Sequence, residues 1–131
     1  MQIQPIVGAW HVAIKIEGNA KGFDAIYTFY ADGNFLDVNS LREANPGVWS
    51  ETEDTYIATF WGFGFDMQGQ TNAKAKVRLA IKMEDADHFT ANGRTDVYDL
   101  AGRLIEHEFS GPVTLEGVRA KVESPLLDAT S

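Results

Sequence analysis

His107 has the side chain best suited to acid–base chemistry in this sequence, because an imidazole exchanges a proton near neutral pH. It alternates with Ile105 and Phe109, and this spacing of two predicts an inward-facing position on a strand. We expect Asp37 to orient His107 or to act as a base, its pKa raised by apolar surroundings. Tyr27 would donate its phenolic proton. Each residue also has a structural alternative. His107 would be hydrogen-bonded to one carbonyl or exposed at the end of the fold, Asp37 would face outward, and Tyr27 would be an aromatic residue of the core.

Other common chemistries are disfavoured. The chain has no cysteine, so it has no thiolate nucleophile, disulfide or cysteine metal ligand. Its three histidines, His11, His88 and His107, do not show metal-ligand spacing, and we predict neither a metal nor a cofactor. No serine lies in a Gly-x-Ser-x-Gly elbow, and the glycines of residues 61–65 do not form a phosphate loop.

Charge and hydropathy exclude further classes of function. The net charge is −8, from 19 acidic and 11 basic residues, which disfavours nucleic acids and anionic membrane surfaces as partners. Hydrophobic residues make up 44% of the chain, enough for a core, but no apolar run approaches the roughly 20 residues of a membrane helix. The N-terminus lacks the pattern of a secretory signal, so a cytoplasmic location is expected.

The elements that would position these residues are β-strands. Period-two alternation is clear at residues 12–17 and clearest at 73–82, where lysines and an arginine mark the outer face. Asp32-Gly33 predicts a hairpin turn, residues 42–47 a polar loop, and residues 103–122 one long, bent strand. Short connections favour a meander that closes on itself. We predict an all-β fold: an eight-stranded antiparallel up-and-down barrel, a single domain over residues 1–131 with a frayed tail at 123–131.

Two short motifs at the ends of the chain carry a family resemblance. They are Gly8-Ala9-Trp10 and Gly117-Val118-Arg119, and further short matches are YTFYADGNF, GVW, AKVR and DVYDLAG. The chain resembles small bacterial lipocalin-like proteins of the calycin superfamily. In such a barrel the first and last strands are neighbours, so Trp10 would plug one end and Arg119 would stack on its indole.

The opposite end of the barrel would then be open. The small side chains Ala73 and Ala75 fall toward this mouth, where they leave space for a ligand. Trp61, Phe63 and Phe65 share one face of a strand. Either this face points outward and forms a homodimer interface, or a bulge turns it into the lumen, where the rings would stack on a ligand. The predicted ligand-binding residues are Tyr27, Phe29, Asn39, Trp61, Phe63, Ala73, Ala75, Val77, Thr95 and Phe109.

Three functions follow from this barrel. We favour the binding of a small, mostly apolar molecule, which is aromatic or resembles a polyketide or terpenoid. The alternative is a cofactor-free lyase, isomerase or cyclase that uses Tyr27, Asp37 and His107 in the same cavity. The third is an oligomerising structural module whose interior is filled by its own side chains.

Overall fold

A computed structural model describes residues 5–18 and 21–126, and in these residues the fold is all-β. Residues 127–131, which belong to the predicted frayed tail at 123–131, lie outside the described residues. No helix that could span a membrane occurs among the described residues. Within residues 5–18 and 21–126 nine strands follow one another: β1 (Gly8–Ile16), β2 (Phe23–Phe29), β3 (Asn34–Asn39), β4 (Ala44–Glu51), β5 (Tyr56–Phe65), β6 (Thr71–Asp85), β7 (His88–Asp99), β8 (Leu104–Ile105) and β9 (Gly111–Arg119).

The sheet closes into a barrel. Each of the strands β1 to β7 pairs antiparallel with the next, β7 pairs with β9, and β9 pairs with β1, where Trp10 lies opposite Arg119. The predicted eight-stranded up-and-down barrel is therefore confirmed, with β8 as a short additional strand against β7. This architecture is consistent with the calycin-like fold that the resemblance implies.

Alternation of apolar and polar side chains sets which face of each strand is inside. In β1, Trp10, Val12 and Ile14 are buried, while His11 and Ala13 between them are exposed. A shift of one residue in pairing would turn these three apolar side chains to solvent, so the pattern fixes the register of the strand.

Trp10 and Arg119 form the closed end. The Trp10 ring contacts the Phe89 ring, with centroids 4.8 Å apart, and the Arg119 guanidinium, whose carbon lies 4.3 Å from the indole centroid. Trp10 Nε1 donates a hydrogen bond to the Ile6 carbonyl (2.9 Å), so its one polar atom is satisfied despite complete burial. The cation–π contact stabilises the stack that the sequence predicts at this end.

The Arg119 side chain also ties together chain segments that are far apart in sequence. It donates to the carbonyls of Val7 and Ala86, each at 2.9 Å, and to that of Pro5. Gly8 leaves the space for this guanidinium, because a Cβ on Gly8 would lie 2.9 Å from Arg119 Nη1. Gly8 also has a φ of +133°, a conformation that favours glycine.

Residues 44–47 are strand, so the predicted polar loop is wrong over that part. Asn45-Pro46-Gly47 belongs to β4 and pairs with β3, where Pro46 lies opposite Leu36. The β4–β5 ladder begins only at Gly47, so the missing N–H of Pro46 breaks no ladder hydrogen bond on that side. The polar loop is confined to the turn at residues 40–43.

The predicted continuous strand over residues 103–122 is also wrong. Val97 of β7 pairs with Ile105 and Thr95 pairs with Gly111, so residues 106–110 leave the ladder and return to the same edge of β7. We call residues 106–110 the excursion. Its turn is held locally by the Ser110 backbone N–H and hydroxyl, which both donate to the His107 carbonyl, at 3.0 and 2.7 Å.

Candidate functional site

The barrel interior has a filled half and an open half. Aromatic side chains, among them Phe29, Phe35, Trp49 and Phe89, pack edge to face beneath the Trp10 end. Toward the other end a cavity of about 460 Å³ opens, and the Tyr27 and Phe60 rings, 5.8 Å apart, lie where it meets the filled half. This volume lies in the range of small-molecule sites.

Small residues on β5 and β6 create much of this space. Ala73 and Ala75 line the cavity near the mouth, and Val77 and Leu79 line it further in. On β5, Gly62 pairs with Ala75 and Gly64 pairs with Ala73, so two bare glycines face two alanines across the ladder. These small residues, paired across β5 and β6, leave space in this part of the cavity.

One polar cluster interrupts the apolar wall. Asp37, on β3, is only 2% exposed, and its Oδ2 accepts hydrogen bonds from Asn39 Nδ2 (3.0 Å) and Asn45 Nδ2 (2.9 Å). Asn39 Oδ1 in turn accepts the Leu41 backbone N–H at 3.0 Å, which orients the Asn39 amide with its NH₂ toward Asp37. Asp37 Oδ1 is buried and has no hydrogen-bond partner in the described structure.

Gly62 makes room for this cluster. A Cβ built on Gly62 would lie 2.4 Å from Asn45 Oδ1, too close for any real contact. The Asn45 amide therefore occupies the space that a side chain at position 62 would need. Gly62 on β5 leaves this space free, and the Asn45 amide on β4 can therefore donate to Asp37 on β3.

Burial dominates the electrostatics of the cluster. Loss of solvent raises the pKa of Asp37, and the hydrogen bonds from Asn45 and Asn39 offset only part of that effect. Burial also raises the pKa of Tyr27, which faces Asp37 directly across β2 and β3, and the Asp37 charge raises it further. The pKa of Glu43, in the turn before β4, is raised by the same two causes in the same order.

His107 lies on the excursion and lines the mouth of the cavity, where its side chain is exposed. The sequence places it on the inner face of a strand, and that expectation fails because the ladder breaks at residues 106–110. The Phe109 backbone N–H donates to His107 Nδ1 (3.2 Å), so the neutral ring carries its proton on Nε2. Phe109 packs against Phe23 with ring centroids 6.4 Å apart, closing one side of the mouth.

The cavity brings together most of the residues proposed from the sequence. Those that line it are Tyr27, Asp37, Asn39, Phe63, Ala73, Ala75, Val77, Thr95, His107 and Phe109. Phe29 does not line it, because it is part of the filled half. The sequence analysis did not propose Glu43 and Asn45 as residues of the site. Asn45 had a signal, because it alternates with the buried Trp49 and Gly47 once the segment is recognised as strand.

The aromatic stripe on β5 faces outward. Trp61 is 47% exposed and does not line the cavity, while Phe63 and Phe65 are exposed and also border its mouth. The bulge that the sequence allows occurs only at Gly64/Phe65, too late in the strand to turn Trp61 inward. Trp61 pairs with Lys76, and Phe63 with Lys74, whose Nζ lies 5.7 Å from the Phe63 ring centroid.

No group of acidic residues and histidines in the described part of the chain has the arrangement of a metal site. The cavity wall instead offers one buried carboxylate, one phenol and a largely apolar surface. Comparisons with models of protein families, with curated proteins and with solved structures gave no match to this chain.

Proposed function

We propose that this barrel binds a small, mostly apolar molecule in its lumen. The observation that carries the proposal is the cavity of about 460 Å³, whose wall is mostly apolar and includes one buried, incompletely hydrogen-bonded carboxylate. Protein interiors are normally close-packed, and a buried polar atom normally has a partner. Both departures occur at the same place, and this supports a site that a ligand completes.

The wall favours a ligand with a flat or branched apolar body. Bare glycines at positions 62 and 64 let such a body approach the β5 backbone, and Tyr27 and Phe60 offer ring faces or edges beneath it. These features support the aromatic, polyketide-like or terpenoid-like ligands expected from the sequence.

A pair of matched variants on β6 tests the proposal. Ala75→Phe fills the cavity, whereas Ala80→Phe adds the same ring to the exposed face of the same strand. We expect the unmodified protein and Ala80→Phe to bind a neutral apolar dye such as Nile red, and Ala75→Phe to lose at least ten-fold in affinity. Equal dye binding by the two variants would contradict binding in the lumen.

A second candidate is a cofactor-free lyase, isomerase or cyclase. The observation that favours it is the pair of Asp37 and Tyr27, which face each other at the cavity wall with raised pKa values. A carboxylate whose pKa is raised toward the working pH is a better general base, and a phenol kept neutral is a hydrogen-bond donor. Asp37→Asn would then abolish turnover of a bound substrate while its binding is retained.

A further inference from the structure

The charges that line the cavity are of one sign. Asp37, Glu43 and Glu108 contribute carboxyl groups, and none of the lining residues that the structure describes is lysine or arginine. Arg42 lies beside Glu43 in sequence, but its side chain is exposed and does not line the cavity. An anionic ligand would meet no counter-charge in this wall.

The hydrogen bonds at Asp37 show which kind of group is missing. Asn39 and Asn45 both direct an NH₂ to Oδ2, and the Leu41 backbone N–H fixes the orientation of the Asn39 amide. An ionised carboxylate is an acceptor only, so in that form the free Oδ1 would be satisfied by a donor from the ligand. Buried charges in proteins are ordinarily paired as well as hydrogen-bonded.

From these two observations we infer that the ligand is a cationic amphiphile: an apolar body with a protonated amine that binds Asp37 Oδ1. The inference rests on the proposed function and names the class of its ligand. Glu43, at the mouth, adds a second negative charge near the same group. The apolar body occupies the space between β5, β6 and the two rings of Tyr27 and Phe60.

The pairing has a definite dependence on pH. The charge of Asp37 acts on Tyr27 of β2 and on Glu43 before β4, and the other titratable groups that line the same cavity are His107 and Glu108 on the excursion. An ammonium ion binds the ionised carboxylate, so affinity rises as pH increases through the pKa of Asp37 and falls once the amine itself loses its proton. A neutral acceptor bound by protonated Asp37 would show the opposite trend.

Three ligands of matched shape test the inference: 2-(1-naphthyl)ethylamine, 2-(1-naphthyl)ethanol and 1-naphthylacetate, titrated by calorimetry with the unmodified protein at pH 7. We expect the amine to bind at least ten-fold more tightly than the alcohol, and the carboxylate to bind most weakly. Asp37→Asn should weaken the amine at least ten-fold and change the alcohol less than three-fold. Glu43→Gln should weaken the amine by a smaller factor, about two- to five-fold.

Failure of this inference is distinguishable from failure of the proposed function. If the alcohol or the carboxylate binds as tightly as the amine, or Asp37→Asn leaves the amine unchanged, the cationic class is wrong while lumen binding stands. If the amine does not bind although Nile red does, the class is also wrong. If neither the naphthyl compounds nor Nile red binds, the proposed function fails and this inference fails with it.

Discussion

Replacing Asp37 with asparagine should stabilise the ligand-free protein at neutral pH. Asp37 is 2% exposed with Oδ1 unpartnered, and a buried polar atom without a partner costs about 1–3 kcal/mol, more when it is charged. The asparagine side chain keeps an oxygen that accepts from Asn39 and Asn45, and its NH₂ takes the unpartnered position of Oδ1, so the gain comes from removing the buried charge. We therefore expect the free energy of unfolding to rise by about 1–2 kcal/mol, or about 4–8 °C in Tm for a chain of this size.

The gain should depend on pH with a known sign. Burial raises the pKa of Asp37 in the folded chain, so as pH rises above the ordinary aspartate value the unfolded chain loses its proton first. The folded state is penalised from that pH upward, and fully so above its own pKa. The advantage of Asp37→Asn is therefore largest at neutral pH and disappears in acid, where both states are protonated.

Thermal unfolding followed by circular dichroism between pH 3 and pH 8 measures this difference. Asp54→Asn is the matched control, because it removes the same charge from the exposed turn between β4 and β5. Two results would refute this account: Asp37→Asn is no more stable than Asp54→Asn at pH 7, or its stability advantage does not change with pH. Either result would mean that burial of the ionised Asp37 carboxylate does not destabilise the folded protein.

Two further substitutions test the supports of the site and of the closed end by urea denaturation. Gly62→Ala should lower the free energy of unfolding by about 1–3 kcal/mol, because its Cβ would displace the Asn45 amide. Gly64→Ala, whose Cβ would meet its nearest neighbour at 3.3 Å, should stay within about 0.5 kcal/mol, and equal effects would contradict this account of Gly62. Arg119→Met should cost about 3 kcal/mol by leaving three backbone carbonyls without a charged donor, against little change for the exposed Arg103→Met. A loss below 1 kcal/mol for Arg119→Met would show that its contacts do not hold the closed end.

Much of the barrel was predictable because alternation and turns are local signals. The buried positions of β1 and β6 follow from period-two patterning, and the Trp10–Arg119 contact follows once first and last strands are taken as neighbours. The mouth was predictable in part, since Ala73 and Ala75 are small side chains on an inward face.

The remaining features depend on interactions that no local pattern records. Asn45-Pro46-Gly47 has the composition of a turn, yet the late start of the β4–β5 ladder lets it pair as strand, and this puts Asn45 in the wall. Conversely, Ile105, His107 and Phe109 alternate as in a strand, yet the ladder with β7 breaks between Ile105 and Gly111. In both segments the pairing with neighbouring strands determines the structure, which differs from the one that composition or periodicity predicts.

The excursion has a consequence for how the mouth of this barrel can be altered. Ile105 and Gly111 fix the pairing on either side of it, at Val97 and Thr95 of β7, so the segment between them is anchored at both ends to one edge. The length and sequence of the excursion can therefore vary while the strands of the barrel keep their pairing. Grafting different segments between Ile105 and Gly111 would change the side chains at the mouth of the cavity while the barrel strands keep their pairing.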